Sequence, residues 1–142
     1  MAATPFTVPV SPPPGQGELV LVVDDDLLYL EITGLALKKA GYRAMVAEDG
    51  AQGMALFAMH RGEVAAVITD VVMPLMDGSA FITALRRLDP VLPIVAVSGL
   101  AHNADRALAA GAHGFVAKAS RAEALVEALA AALKRGSDPV GK

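Results

Sequence analysis

Short runs rich in apolar and β-branched residues recur along the chain: Leu19–Val23, Arg43–Ala47, Val64–Thr69, Ile94–Val97 and Gly114–Ala117. Between them lie stretches with helical spacing, at about 27–40, 50–60, 78–88, 102–110 and 120–134. In the last, Leu125, Leu129 and Ala132 fall on one stripe, as a core-facing helix requires. Gly41 and Gly111 follow the first and fourth helical stretches, where left-handed caps belong. The first, third and fourth runs are apolar almost throughout, which suits strands covered on both faces of a parallel sheet. Five alternating units predict an open, doubly wound α/β sheet with right-handed crossovers.

Residues 1–17 break this rhythm. Pro5, Pro9, Pro12, Pro13 and Pro14, then Gly15 and Gly17, predict an extended linker or tail ahead of a folded unit at 18–134. Residues 135–142 are expected to be a disordered tail. The chain has 142 residues, 54% of them hydrophobic, enough for one domain with a full core. A net charge of −3 gives no basic face for nucleic acid. Cysteine is absent, which excludes disulfides and thiolate metal sites. The sequence has neither an uncharged apolar stretch of spanning length nor a signal-peptide pattern, so no membrane insertion is predicted and a cytoplasmic protein is the expectation.

The chemistry is written at the strand ends. In doubly wound sheets ligands bind beyond the carboxyl ends of the strands. Here the first strand runs into Asp24, Asp25 and Asp26, the third into Asp70, the fourth into Ser98 and the fifth into Lys118. Four polar groups, each following an apolar strand, would share one edge. Asp24, Asp25 and Asp70 repel one another unless a cation lies between them. Oxygen ligands without His or Cys favour Mg²⁺, or Mn²⁺, over Zn²⁺. Mg²⁺ keeps room for a phosphate oxygen, Lys118 supplies fixed positive charge, and Ser98 supplies a hydroxyl. These are the parts of phosphoryl transfer, with Asp70 on a central strand as the candidate nucleophile.

The segments VLVVDDD, ITDVVMPLMDG, IVAVSG and GFVAK resemble, in order and spacing, the receiver domain of two-component response regulators, over roughly residues 18–134. The resemblance implies a flavodoxin-like sheet of order 2-1-3-4-5 with five helices. It implies that Asp70 is the phosphoacceptor, charged by a histidine kinase or a histidine phosphotransfer domain. Asp25, Asp70 and the carbonyl of Val72 would bind Mg²⁺, and Asp24 would orient a metal-bound water. Asp26 would cap the first helix. Ser98 and Lys118 would bind phosphoryl oxygens, and Phe115 would be the aromatic switch that follows Ser98. The output would be a shift of the face made by helix 4, strand 5 and helix 5, which is also the expected homodimer surface.

Two features depart from the family pattern. Lys118 precedes Ala119, where receivers usually carry proline after a cis bond. A cis bond to a non-proline residue costs about 2.5–4 kcal/mol. The expectation is therefore a trans bond with Lys118 displaced, or a strained cis bond. Phe115 stands where many members have tyrosine, so it lacks a hydroxyl to bond when exposed. Val72 and Leu100 flank the line of water attack in the family and cannot orient a water. A long-lived aspartyl phosphate is expected, with access past the small Gly99 left open.

Other readings compete. An aspartate-nucleophile phosphatase of the dehalogenase type would need a second Asp two residues after the nucleophile, where this chain has Val72. An FMN binder would need a Ser, Thr and Gly-rich first loop, not three aspartates. A degenerate receiver acting as a phosphorylation-independent interaction module is the main alternative. His60, His102 and His113 read as surface or loop residues, and Met54, Met59, Met73 and Met76 as core or loop filler. GQGELVLVVDDD after a proline-rich run resembles the junction ahead of a terminal receiver in a hybrid sensor histidine kinase.

Overall fold

The computed structural model describes residues 13–74 and 76–135. Most of the expected N-terminal linker (1–12) and nearly all of the expected C-terminal tail (136–142) lie outside them. Five strands, β1 (Leu19–Val23), β2 (Arg43–Ala47), β3 (Val64–Asp70), β4 (Ile94–Ser98) and β5 (Gly114–Ala117), alternate with five α-helices. These are α1 (Leu27–Lys39), α2 (Gly50–Met59), α3 (Gly78–Leu88), α4 (Ala104–Ala110) and α5 (Ala122–Arg135). All strand pairs are parallel and the order is β2-β1-β3-β4-β5, a flavodoxin-like sheet as the resemblance implied.

The period-two alternation within each strand sorts its side chains into two cores. Leu19, Leu21 and Val23 join Val67, Ile94 and Ala96 under Phe57 of α2, Phe81 and Leu85 of α3 and Ala107 of α4. Val20 and Val22 join Ile68, Val95 and Val97 under Leu30 and Leu37 of α1 and Leu125 and Leu129 of α5. Burial on both faces explains why β1, β3 and β4 read as unbroken apolar runs. β2 lies at the edge, with Arg43, Ala44 and Val46 exposed.

Gly41 and Gly111 take positive φ after α1 and at the end of α4, as expected of left-handed caps. Three boundaries differ from the sequence reading. Gly15 and Gly17 of the expected linker donate backbone hydrogen bonds to Ala40 and Gly41, at 2.8 and 2.7 Å, so these two residues pack with the folded unit. Helix α5 also runs through Arg135, the first residue of the expected tail. The stretch read as one helix from 102 opens instead with a separate 3-10 turn, Ala101–Asn103, before α4.

Candidate functional site: an acidic cluster at the carboxyl edge

Parallel pairing brings the strand ends to one rim. Asp24 extends β1 by donating its N–H to Ala47 O at 3.1 Å. Asp70 is paired in register with Val97, and Lys118 donates its N–H to Ser98 O at 2.9 Å. Each group is therefore set by a strand and not by a free loop. Just beyond, the chain after β3 turns back so tightly that a Cβ on Gly78 would sit 2.0 Å from Asp70 O. Only glycine fits there.

Carboxylate oxygens of Asp24, Asp25 and Asp70 lie within 4.8 Å of one another. Asp24 is 0% exposed, Asp70 is buried and Asp25 faces solvent. The Lys118 ammonium reaches across to Asp24 Oδ2 at 2.7 Å and Asp70 Oδ2 at 3.2 Å. Asp24 Oδ1 accepts from the N–H of Asp26 at 2.9 Å, and Asp70 Oδ1 accepts from the N–H of Val72 at 3.3 Å. Burial pushes the Asp24 carboxyl above its usual range, which the bonds from Lys118 and Asp26 oppose. Burial alone would lower the Lys118 pKa, but the hydrogen bonds and charges of Asp24 and Asp70 outweigh it and raise it.

The donor set fits a hard divalent cation. Asp24 Oδ2 is buried and, apart from its ion pair with Lys118, has no well-directed hydrogen bond. One ammonium faces three clustered carboxylates, which leaves negative charge for a second cation to balance. All the side-chain donors are oxygens, as Mg²⁺ or Mn²⁺ prefers.

One expectation about this region fails. The Lys118–Ala119 bond is trans, no cis peptide occurring among the described residues, yet Lys118 stays beside Asp70. Its anchors are tertiary: the pairing to β4, the two carboxylates, and the ring of Tyr29, whose centroid lies 4.7 Å from Nζ. His113 lies in the loop ahead of β5, at the opposite edge of the sheet, as expected of a loop residue, but it is packed there. It is half-buried, and its Nδ1 accepts the N–H of Ile94 at 3.2 Å, with Arg86 beside it.

The other predicted residues lie as follows. Asp26 caps α1, its carboxylate accepting from the N–H groups of Leu28 and Tyr29 at 3.0 and 3.2 Å. Phe115 is half-buried against the α2–α3–α4 core. Val72, Gly99 and Leu100 are exposed at the rim. Ser98 is buried and its Oγ makes no hydrogen bond with Asp70; it accepts from Leu100 N–H at 3.1 Å and Asn103 Nδ2 at 3.0 Å. Met54, Met73 and Met76 pack on the core, whereas Met59 is exposed.

Three side chains here escaped the sequence reading: Tyr29, Asn103 and Arg106. Arg106 of α4 pairs with Asp77, the N-cap of α3, whose carboxylate also accepts from Ser79 N–H at 2.8 Å. Partial burial would raise the Asp77 pKa, but the bonds from Ser79 and Arg106 outweigh it and lower it. For Tyr29 a signal existed: it lies one helical turn after the cap Asp26, on the turn nearest the acidic edge.

An acidic cluster with two buried members and a lysine, at the switch edge of a 2-1-3-4-5 sheet, defines a class of signalling domain, and the comparisons agree. The family model described as response regulator receiver domain matches residues 20–130. The chain is 32% identical over 120 residues to the transcriptional regulatory protein GlrR of Escherichia coli K12, covering 83% of this chain and 27% of that protein. It is 34% identical over 118 residues to the transcriptional regulatory protein PrrA of Mycobacterium tuberculosis, covering 82% of this chain and 50% of that one. It thus spans about a quarter to a half of the length of these curated relatives. Among solved structures, a response regulator receiver domain protein from Clostridium thermocellum aligns with TM-score 0.78 and 25% identity, over 84% of this chain and 96% of that one. The chain belongs to the response regulator receiver domain family of two-component systems. Among the described residues no helix is long and apolar enough to cross a membrane.

Proposed function

We propose that Asp70 accepts a phosphoryl group from a phosphohistidine of a partner kinase or phosphotransfer domain. The observation that carries this is the gathering of Asp24, Asp25 and Asp70 within 4.8 Å, with Lys118 bridging two of them. A carboxylate oxygen of Asp70 attacks phosphorus; the new O–P bond forms as the P–N bond to the imidazole breaks, and the imidazole leaves with the electron pair and takes a proton. Lys118, already held at 3.2 Å, neutralises charge on the phosphoryl oxygens without having to move far. Asp24, Asp25, Asp70 and the Val72 carbonyl would hold Mg²⁺ or Mn²⁺, which supplies further charge stabilisation when bound. Backbone N–H of Val72, donating to Asp70 Oδ1, fixes the orientation of the carboxylate. Phosphorylation would then draw Ser98 toward the phosphoryl group, let Phe115 change rotamer, and reshape the α4–β5–α5 face, the candidate homodimer surface.

Incubation with Mg²⁺ and a small phosphodonor, read by intact mass, tests this. One phosphoryl group should be gained by the wild type and none by Asp70→Asn. Uptake by Asp70→Asn, or no uptake by the wild type, would refute the proposal. The latter outcome would favour a phosphorylation-independent docking module.

A further inference from the structure

We propose that Asn103 is a positioning residue that holds the Ser98 hydroxyl away from Asp70 and so sets how easily the domain switches. The inference rests on the phosphoryl chemistry proposed above. A serine oxygen can accept two hydrogen bonds. Here both are taken, by Leu100 N–H at 3.1 Å and Asn103 Nδ2 at 3.0 Å. The Leu100 bond is local, two residues along the chain, and travels with Ser98 when the loop moves. The Asn103 bond is different, because it joins the end of β4 to the 3-10 turn that leads into α4.

Asn103 is 2% exposed, so its amide has no ready access to solvent. Its own N–H donates to Leu100 O at 3.1 Å, which fastens the backbone of the turn to the same loop. If Ser98 Oγ swings toward a phosphoryl group on Asp70, the Asn103 amide loses this acceptor in a buried setting. A buried donor left unpaired is costly. Asn103 therefore stabilises the phosphoryl-free arrangement, and loss of this bond would release the turn ahead of α4 from the end of β4.

The experiment is a titration of the full chain with beryllofluoride in excess Mg²⁺, followed by NMR, in a double-mutant cycle. Asn103→Leu keeps the branching and the number of side-chain heavy atoms and removes the donor. It should bind beryllofluoride about tenfold more tightly than the wild type, the effect of one net hydrogen bond. Asn103→Ala should shift affinity in the same direction, which guards against a leucine that packs badly. In a Ser98→Ala background either change should have no effect, because the bond it removes is already gone. Without any ligand, Ser98→Ala alone should move the Asn103 side-chain amide resonances. Equal effects in both backgrounds, or unchanged or weaker binding by Asn103→Leu and Asn103→Ala, would overturn the inference while leaving the receiver chemistry intact. A wild type that takes up neither beryllofluoride nor phosphoryl would bring down that chemistry, and this inference with it.

Discussion

Replacing Lys118 with Met tests the electrostatic reading of the site. Methionine keeps an unbranched stem beside Tyr29 and removes only the charge. Asp24 Oδ2 then loses its 2.7 Å partner while remaining buried, and the carboxylates of Asp25 and Asp70 stay within 4.8 Å. Breaking a buried pair by deleting one partner costs about 3–5 kcal/mol. Here the loss has a ceiling, because Asp24 can escape by taking a proton. Neutralising a carboxyl with an ordinary pKa near 3.9 at pH 7 costs roughly 4 kcal/mol, at about 1.4 kcal/mol per unit. The same ceiling is only about 1.5 kcal/mol at pH 5. The sign follows from linkage: a carboxyl whose folded pKa is raised binds more protons in the folded state, so the variant regains stability as pH falls. Lys118→Met should therefore lose about 3 kcal/mol at pH 7, roughly 10 °C in Tm, and at most about half of that at pH 5. Excess Mg²⁺ should restore part of the loss at pH 7, because a bound cation replaces the missing charge. Thermal melts at the two pH values, with and without Mg²⁺, decide the matter. A deficit independent of both pH and Mg²⁺ would mean that Lys118 acts by packing alone, and the charge argument would be wrong.

Three further outcomes are expected. Asp26→Ala should cost about 1 kcal/mol in denaturant unfolding through loss of the α1 cap, yet leave phosphoryl uptake near wild type, since the Asp26 side chain bonds only backbone N–H groups of α1 and alanine keeps the backbone N–H that Asp24 accepts. The aspartyl phosphate should persist well beyond seconds in Mg²⁺, because exposed Val72 and Leu100 cannot orient an attacking water; decay within seconds in a radiolabel chase would refute this. Burial, with Arg86 and Arg135 nearby, lowers the His113 pKa. The unfolded chain therefore takes up a proton first, and stability should fall as pH drops through the ordinary histidine range near 6.5. His113→Gln should flatten that part of the stability profile.

The alternation of apolar runs and helical stripes made the sheet legible, and the rule that sites lie beyond carboxyl strand ends made Asp24, Asp70, Ser98 and Lys118 legible with it. Both readings use information local to one element: a side-chain period, and the residue at which an apolar run stops. Asn103 and Arg106 carry no such local mark. Asn103 acquires its role only because the turn before α4 folds back to place its amide 3.0 Å from Ser98. Arg106 reaches Asp77 across 29 residues of sequence, between α4 and the start of α3. The Lys118–Ala119 expectation failed for the same reason. It weighed the intrinsic preference of one peptide bond and inferred that a trans bond would displace the lysine. A lysine side chain is long enough to be placed from its far end. Two carboxylates and an aromatic ring grip Nζ here, so the position of the ammonium is set by tertiary partners and not by the isomer of the bond that follows. By this argument a proline at 119 would change the path of the backbone far more than the charge that Asp70 feels.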